Sequence, residues 1–506
     1  MTLHLETLPS DTRPPIDAHV AEVRAQLALW DADQAIDALG VCDVDRALKT
    51  TVSLCPTCLM HVPALVFVRQ GRVILSKRCD THGVSEAVIE NDARYYRLSN
   101  KDVSGRRFAA DKLFQIPKYT PPGQSSCCGP GKSCGDGTDQ ASNRSCTVLM
   151  EVTDACNLEC RVCYSDAKGD RYLPFEDFTA TVDRLIEAKG GLESVQLTGG
   201  EATLHPRFWD MVEYLHQEPR VTKVYLPTNG LLFAKDENLR RAEHYKDKLM
   251  LLLQLDGLSQ PTNQTLRRAH PIRLRRTLIG RMNEAGVPMQ LTMTLARGVN
   301  EDEVGGVVDL GLDHEMVKVI ALQPATWSGR FDLESDPMDR LTLSDVAKAV
   351  LDRASVRASE DDWVPIPCSH PNCGWITVFL RRFGLLHNVV RYVDLEEVMD
   401  EVAYKTLLST AELRNVVGSK GRGLMKKVAS FVGGKVVRST DMFSIAIKPF
   451  MDAHSYDQDR IDNCCHHITD TRGELRSFCE YNAIGRQHDP WTRLPTASEV
   501  ARAPAT

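Results

Sequence analysis

"DACNLECRVCYSDA", residues 154–167, places Cys156, Cys160 and Cys163 within eight positions. Thiols this close together suit a soft metal centre rather than a hard cation. A tetrahedral zinc site takes four ligands, and this segment offers three. An iron–sulfur cubane can be held by three thiolates, which leaves its fourth iron open to another partner. The segment follows "SCTVLMEV" (145–152), a strand-length apolar run, so the three cysteines fall on a loop after a strand.

Reading onward, the chain alternates strands and helices. "SVQLTGG" (194–200), "KVYLPTNG" (223–230), "LMLLLQLDG" (249–257), "PMQLTMTLARG" (288–298) and "VKVIALQPATW" (317–327) are apolar runs of strand length, four of them closed by Gly or an Asn or Asp neighbour. Between them Phe178, Val182, Leu185 and Ile186 recur at helical spacing, and so do Phe208, Val212 and Leu215. Alternation of this kind predicts parallel βαβ units. Ligands in such folds sit at the carboxyl ends of the strands, where "TGGE", "TNG" and "LDG" fall.

The remaining cysteines cluster on either side of a stretch of about 200 residues that has none. The chain has 506 residues and 16 cysteines. Its start, "MTLHLETLPSDTRPP", lacks the basic-then-apolar pattern of a signal peptide. A cytoplasmic location is therefore expected, with the thiols read as metal ligands rather than disulfides. No apolar run reaches the roughly 18 residues of a membrane span. A net charge of −7 argues against nucleic acid as a partner.

"CPTC" (55–58) and "CDTHG" (79–83) frame a hairpin-like span. Cys55, Cys58, Cys79 and His82 form a ligand set for one zinc or one rubredoxin-like iron. Cys42 is the alternative fourth ligand. "CCGPGKSCGDGTDQASNRSC" (127–146) offers Cys127, Cys128, Cys134 and Cys146 in a Gly- and Ser-rich loop too polar to pack by itself, which predicts an auxiliary [4Fe–4S] cluster. "VPIPCSHPNCGW" (364–375) and "CCHHITDTRGELRSFCEYN" (464–482) offer Cys368, Cys373, Cys464 or Cys465, and Cys479 for another. His370, His466 and His467 stand beside them as polar donors. In "KGRGLMKKVASFVGGKVVR" (420–438), Leu424, Val428 and Phe431 would align opposite Lys426 and Lys427 on a helix. That pattern fits a peripheral contact with a membrane surface and equally a solvated helix packed on the barrel.

The Cx3CxxC spacing, an aromatic at Tyr164 and "TGGE" after the next strand resemble the signature of the radical S-adenosylmethionine superfamily over about residues 145–330. The resemblance implies a partial (β/α) barrel and a [4Fe–4S] cluster on Cys156, Cys160 and Cys163. The open iron would chelate S-adenosylmethionine, whose reductive cleavage yields a 5′-deoxyadenosyl radical that takes hydrogen from an unactivated carbon. Tyr164, Thr198, Gly199, Gly200 and Glu201 match positions that line this cofactor in the superfamily. Asn229, Gln254 and Asp256, at later strand ends, are candidates for its ribose or methionine. The family's usual proline after GGE is Ala202 here. An electron carrier without catalysis would need no "TGGE".

The flanking motifs, with "KPFMDAHSYDQDRIDNCCHH" and "FCEYN", resemble the tetraether lipid synthase family over residues 50–485. That likeness implies three [4Fe–4S] clusters and one mononuclear metal. It also implies coupling of the methyl ends of two lipid chains, with a carbon held on an auxiliary cluster for which Cys368, Cys373 and Cys479 are candidate ligands. A reductant such as flavodoxin or ferredoxin would be the protein partner. Relatives are assigned instead as methyltransferases of a pterin, a small heterocycle. The adjacent Cys127–Cys128 pair departs from the tighter knuckle usual in the family. The expected architecture is α/β: a helical extension (1–48), a metal-knuckle domain (49–120), a cluster insert (121–147), the radical core (148–335), a C-terminal iron–sulfur domain (336–485) and a tail (486–506).

Overall fold

The computed structural model describes residues 16–98, 145–269, 271–366, 369–382, 385–392 and 441–500. Cys127, Cys128, Cys134, Cys368 and the basic 420–438 stretch lie outside them.

The N-terminal part is a four-stranded antiparallel sheet, β1 (Arg46–Leu54), β2 (His61–Arg69), β3 (Arg72–Cys79) and β4 (Gly83–Glu90), in the order 1-2-3-4. Gln70 and Gly71 both have positive φ, 50° and 74°. Positive φ at both central residues is the two-residue hairpin turn whose twist matches its strands. Helices Ile16–Leu27 and Ala32–Leu39 pack on this sheet through Val20, Val23, Leu27, Ala35 and Leu39.

The larger sheet begins with β5 (Thr147–Thr153), which leads into the cysteine loop. The short β6 (Val162–Cys163) in that loop pairs with β12 (Arg330–Phe331). Then come β7 (Leu192–Gly199), β8 (Val221–Thr228), β9 (Leu249–Gln254), β10 (Met289–Leu295) and β11 (Val317–Pro324). The C-terminal region adds β13 (Val364–Pro365), β14 (Trp375–Arg382), β15 (Leu385–Asn388), β16 (Met442–Ile447), β17 (His466–Thr469) and β18 (Leu475–Ser477). The order is 13-14-16-11-10-9-8-7-5-17-18, with β15 beside β14. Strands from β16 to β17 in this order run parallel. Among the described residues the edges of this sheet, β13 with β15 on one side and β18 on the other, do not pair, so the barrel is open. The C-terminal strands thus extend the core sheet on both sides instead of forming a sheet of their own.

The five strands and two helices legible in the sequence are present. Helix Phe175–Lys189 buries Phe178, Val182, Leu185 and Ile186, and helix Phe208–Gln217 buries Phe208, Met211, Val212 and Leu215. Leu197, Leu226, Leu251, Leu291 and Ile320 point outward beneath such helices and are wholly buried, or within 1% of it. Each contributes about 1.5–3 kcal/mol by leaving water. The alternate positions point into the barrel and line its cavity. Among the described residues no helix is long and apolar enough to cross a membrane.

Candidate active site and metal centres

The barrel encloses a cavity of about 1600 Å³ whose lining runs from the amino ends of the strands, at Thr222 and Pro288, to their carboxyl ends, at Thr198, Asn229 and Gln254. Cys156, Cys160 and Cys163 all line it. Their loop is tied at its base and sides. Asp154 accepts the Arg171 N–H at 2.7 Å, and the Arg161 N–H reaches Leu266 O at 2.9 Å. Arg330, 7% exposed, donates to Asp166 at 2.7 Å and to the Cys160 carbonyl at 2.9 Å. Burial pushes the Cys156 thiol up to about 11, and Glu201, Cys160 and Cys163 add to the shift. Three thiols lining one cavity at this spacing are the donor set an iron–sulfur cluster would take, and metal binding releases their protons.

The "TGGE" segment presses against the start of the same loop. Gly200 N–H donates to Thr153 O, and Glu201 N–H to Ala155 O, both at 2.8 Å. A Cβ on Gly199 would lie 2.1 Å from Thr153 O, and one on Gly200 2.1 Å from Ala155 O. Only glycine permits this approach. Thr198, Gly199, Gly200 and Glu201 line the cavity. The Glu201 carboxylate is already bonded to Thr203 Oγ1 at 2.7 Å, Thr228 Oγ1 at 2.8 Å and Asn229 N at 2.8 Å. It therefore staples the ends of β7 and β8 and leaves main-chain groups to meet a ligand.

The other strand-end candidates divide. Tyr164, Asn229 and Gln254 line the cavity. Tyr164 packs edge-on against Phe450 and Phe478, and Asn229 bonds Asn157 at 2.7 Å. Asp256 is 0% exposed and does not line it: its carboxylate pairs with Arg267 at 2.5 and 2.7 Å. Arg267 in turn lies beside Cys160, so Asp256 acts on the site by holding Arg267.

Arg275 was not singled out by the sequence, where it sits in an arginine-rich helix that reads as a solvated face. It is 0% exposed and lines the cavity. Its Nη1 bonds Asn263 at 3.1 Å and its Nε bonds Asn229 O at 3.2 Å, while Nη2 has no hydrogen-bond partner among the described residues. A buried unpaired donor is costly, and a carboxylate in the cavity would satisfy it. The thiols, the glycine cradle and this guanidinium together fit a cluster with bound S-adenosylmethionine.

The inner wall has two faces. β7 to β10 turn Gln196, Tyr225, Gln254, Gln290 and Thr292 inward, with Pro227, Met250 and Leu252 among them. Register sets Gln196 beside Tyr225, and Thr292 beside Gln254 and Ala321. β11, β14 and β16 turn in mostly small or apolar residues, Val319, Ala321, Ala446, Ile376 and Val378.

In the N-terminal sheet Cys55, Cys58, Cys79 and His82 bring their ligand atoms within 4.8 Å of one another. His82 Nδ1 lies 3.6 Å from Cys55 Sγ and 3.5 Å from Cys79 Sγ, and Cys58 and Cys79 sulfurs are 3.9 Å apart. Tetrahedral bonds of about 2.3 Å to sulfur and about 2.0 Å to nitrogen set ligand atoms about 3.5–3.8 Å apart. The geometry therefore fits one tetrahedral ion. Cys42 is exposed and stands outside this group.

Around the cavity mouth, Cys373, Cys464 and Cys479 are mutual neighbours. Burial pushes the Cys464 thiol up to about 11 and Cys479 to about 12. Cys465 also lines the cavity beside Cys464, and it packs against Cys146, whose N–H donates to the Cys465 carbonyl at 2.9 Å. His370, His466 and His467 are neutral, because burial depresses all three.

Comparison with known proteins agrees with this geometry. Residues 150–311 match the Radical SAM superfamily, and residues 47–91 match the HMPTM N-terminal zinc ribbon domain. The chain is 27% identical over 502 residues to a protein of Methanocaldococcus jannaschii named 7,8-dihydro-6-hydroxymethylpterin dimethyltransferase, covering 87% of this chain and 94% of that one. It is 26% identical over 221 residues to a GTP 3′,8-cyclase of Syntrophomonas wolfei, covering 41% of this chain and 63% of the other. Among solved structures, SuiB of Streptococcus suis bound to its precursor peptide aligns at 14% identity and a TM-score of 0.37, over 60% of this chain and 69% of that one. The three-cysteine loop, the glycine cradle and the matched core mark the chain as an enzyme with a radical S-adenosylmethionine domain over residues 150–311.

Proposed function

We propose that the chain is a radical C-methyltransferase acting on a pterin-like fused heterocycle. The observation that carries this reading is the run of amide and hydroxyl side chains Gln196, Tyr225, Gln254, Gln290 and Thr292, set among Pro227, Met250 and Leu252 and opposite a wall of mostly small or apolar side chains. A flat ring would lie on the apolar face and direct its ring nitrogens and exocyclic groups to the polar one. A hydrocarbon there would take these amides and hydroxyls out of water and add nothing to the bonds Gln254 and Gln290 already make to Asp256, Thr294 and Thr292, which is unfavourable. The near full-length likeness to a protein named for a dihydropterin points to the same substrate class.

Cys156, Cys160 and Cys163 would hold the cluster, and Thr198, Gly199 and Gly200 would cradle S-adenosylmethionine, with Arg275 meeting its carboxylate. Bound there, that pair supplies one-electron chemistry able to activate an unreactive C–H bond. The chain's own part is to position the substrate carbon and to keep water away, with Phe450 and Phe478 closing the wall near Tyr164.

A second reading, coupling of the methyl ends of lipid chains, is favoured by one observation. The cavity of about 1600 Å³ exceeds the several hundred typical of small-ligand sites. The test offers anaerobically reconstituted enzyme, S-adenosylmethionine and reductant a reduced pterin or a dialkyl lipid, with products followed by mass spectrometry. A pterin heavier by one CH2 supports the proposal. A lipid product short of two hydrogens, with no pterin modified, overturns it in favour of the second reading.

A further inference from the structure

The segment 448–464, "KPFMDAHSYDQDRIDNC", links the metal-binding sheet at the N-terminus to the thiols at the cavity mouth. Arg340 and the Trp327 N–H hold Asp452 within it, at 2.6 and 3.1 Å, and a second set of grips comes from the N-terminal sheet, roughly four hundred positions away. Lys77, 1% exposed, donates to Ala453 O at 2.6 Å and His454 O at 2.7 Å. Ser53 Oγ–H donates to Tyr456 O at 2.7 Å. Thr51 Oγ1–H donates to Asp457 at 2.7 Å, and Lys49 reaches both Asp457 and Asp459 at 2.7 Å. Asp457 caps the short helix Gln458–Asp462 by accepting the Asp459 N–H. Arg460 stands on that helix. Its Nε donates to Cys373 Sγ at 3.4 Å and its Nη2 to Pro449 O at 2.9 Å, and its charge faces Cys479 as well.

We propose that Arg460 is the positioning residue of the Cys373–Cys464–Cys479 group. Its N–H···S bond fixes Cys373 and raises the reduction potential of the iron–sulfur cluster these thiols would hold. The N-terminal sheet, through Lys49 and Asp457, sets where Arg460 points. The physical ground is general: a cation and a hydrogen bond at a ligand sulfur stabilise the more negative, reduced form of a cluster. Lys49 offsets the negative charge of Asp457 and Asp459, which would otherwise compete with Cys373 for the guanidinium. This inference does not depend on which substrate the barrel takes.

The test uses the full chain, reconstituted anaerobically with iron and sulfide, in wild type, Arg460→Met, Arg460→Lys and Lys49→Met. The signal to follow is the EPR feature that vanishes in Cys464→Ala. Its midpoint potential is expected to fall in R460M, to return most of the way in R460K, and to fall by a smaller step in K49M. In cluster-free protein, alkylation of Cys373 is expected to slow at least threefold in R460M and K49M, because a nearby cation favours the reactive anionic form of sulfur, while Cys156 keeps its rate, which separates a local effect from misfolding. An unchanged potential in R460M overturns the proposal. So does a loss of iron that R460K does not restore, or a wild-type protein with no signal dependent on Cys464.

Discussion

At the scale of single residues, two glycines decide how closely β7 approaches the cysteine loop. Gly199 has a φ of 128°, and neither Gly199 nor Gly200 has room for a Cβ. In Gly200→Ala the new methyl would sit 2.1 Å from the Ala155 carbonyl, a backbone atom that cannot swing aside. The expected cost is about 1–3 kcal/mol of stability, the usual range for overpacking. The larger effect falls on the ligand, because the main chain that lines the cavity must retreat. Equilibrium dialysis of S-adenosylmethionine onto the reconstituted variant is expected to show binding at least tenfold weaker than wild type, with the Cys156 cluster still formed. Wild-type affinity in G200A would mean that this stretch does not cradle the cofactor.

At the scale of elements, the connection from β7 to helix Phe208–Gln217 rests on His205. The ring is 3% exposed. Its Nε2 meets Leu173 O at 2.9 Å, and its Nδ1 accepts the Arg207 N–H at 3.0 Å. A ring that donates from Nε2 and accepts at Nδ1 is neutral, and burial holds its pKa down to about 4. In the unfolded chain the same ring titrates near 6.5. The unfolded state therefore takes up the proton first as pH falls. Stability from His205 is full above pH 6.5 and is lost between about 6.5 and 4, by at most about 3 kcal/mol. Thermal melts of wild type and His205→Gln across this window check it: the variant starts less stable at pH 7.5, and the gap between the two narrows as pH falls. A gap that is independent of pH would show that the ring is not held neutral.

The same scale shows what the sequence could reveal. β7 to β11 were legible because each is an unbroken apolar run closed by a turn residue, and the helices between them because Phe178 through Ile186 keep a 3.6-residue period. The cysteine loop and "TGGE" were legible because cluster chemistry dictates spacing. β14, β16, β17 and β18 were not. "HHIT" and "LRS" carry too few residues to show a period, and they become strands only because β5 offers an open edge. Arg267, Arg275 and Arg330 were hidden for a related reason. Charged residues in a polar run look solvated until the fold buries them against Asp256, Asn229 and the cysteine loop. Asp256 misled in the opposite direction. Its place at a strand end suggested a ligand contact, whereas full burial and a bidentate arginine give it a supporting role.

At the scale of the whole molecule, the metal group of the N-terminal sheet reaches into the core. Cys55 follows the last residue of β1 and Cys79 is the last residue of β3. Ser53 and Lys77, two residues before them on the same strands, grip the 453–457 loop. Leu54 packs with Met451, Ala453, Tyr456, Ile461 and Ile484 in one apolar cluster. An ion at Cys55, Cys58, Cys79 and His82 thus pins the strand ends that hold the C-terminal loop. Structural zinc contributes about 10–16 kcal/mol in small metal-folded peptides. That is as much as the net stability of a typical domain, about 5–15 kcal/mol, so its loss cannot stay local if the two regions are coupled. Cys58→Ser removes a ligand without touching any residue that contacts the loop. Hydrogen exchange of this variant, loaded with metal, is expected to lose protection in residues 46–90 and 449–464 together, while β7 to β11 keep theirs. The two regions should exchange with a common rate, as one cooperative unit does. If protection falls only within residues 46–90, the sheet is an independent module and the contacts of Ser53, Lys77 and Leu54 are too weak to transmit the state of its metal.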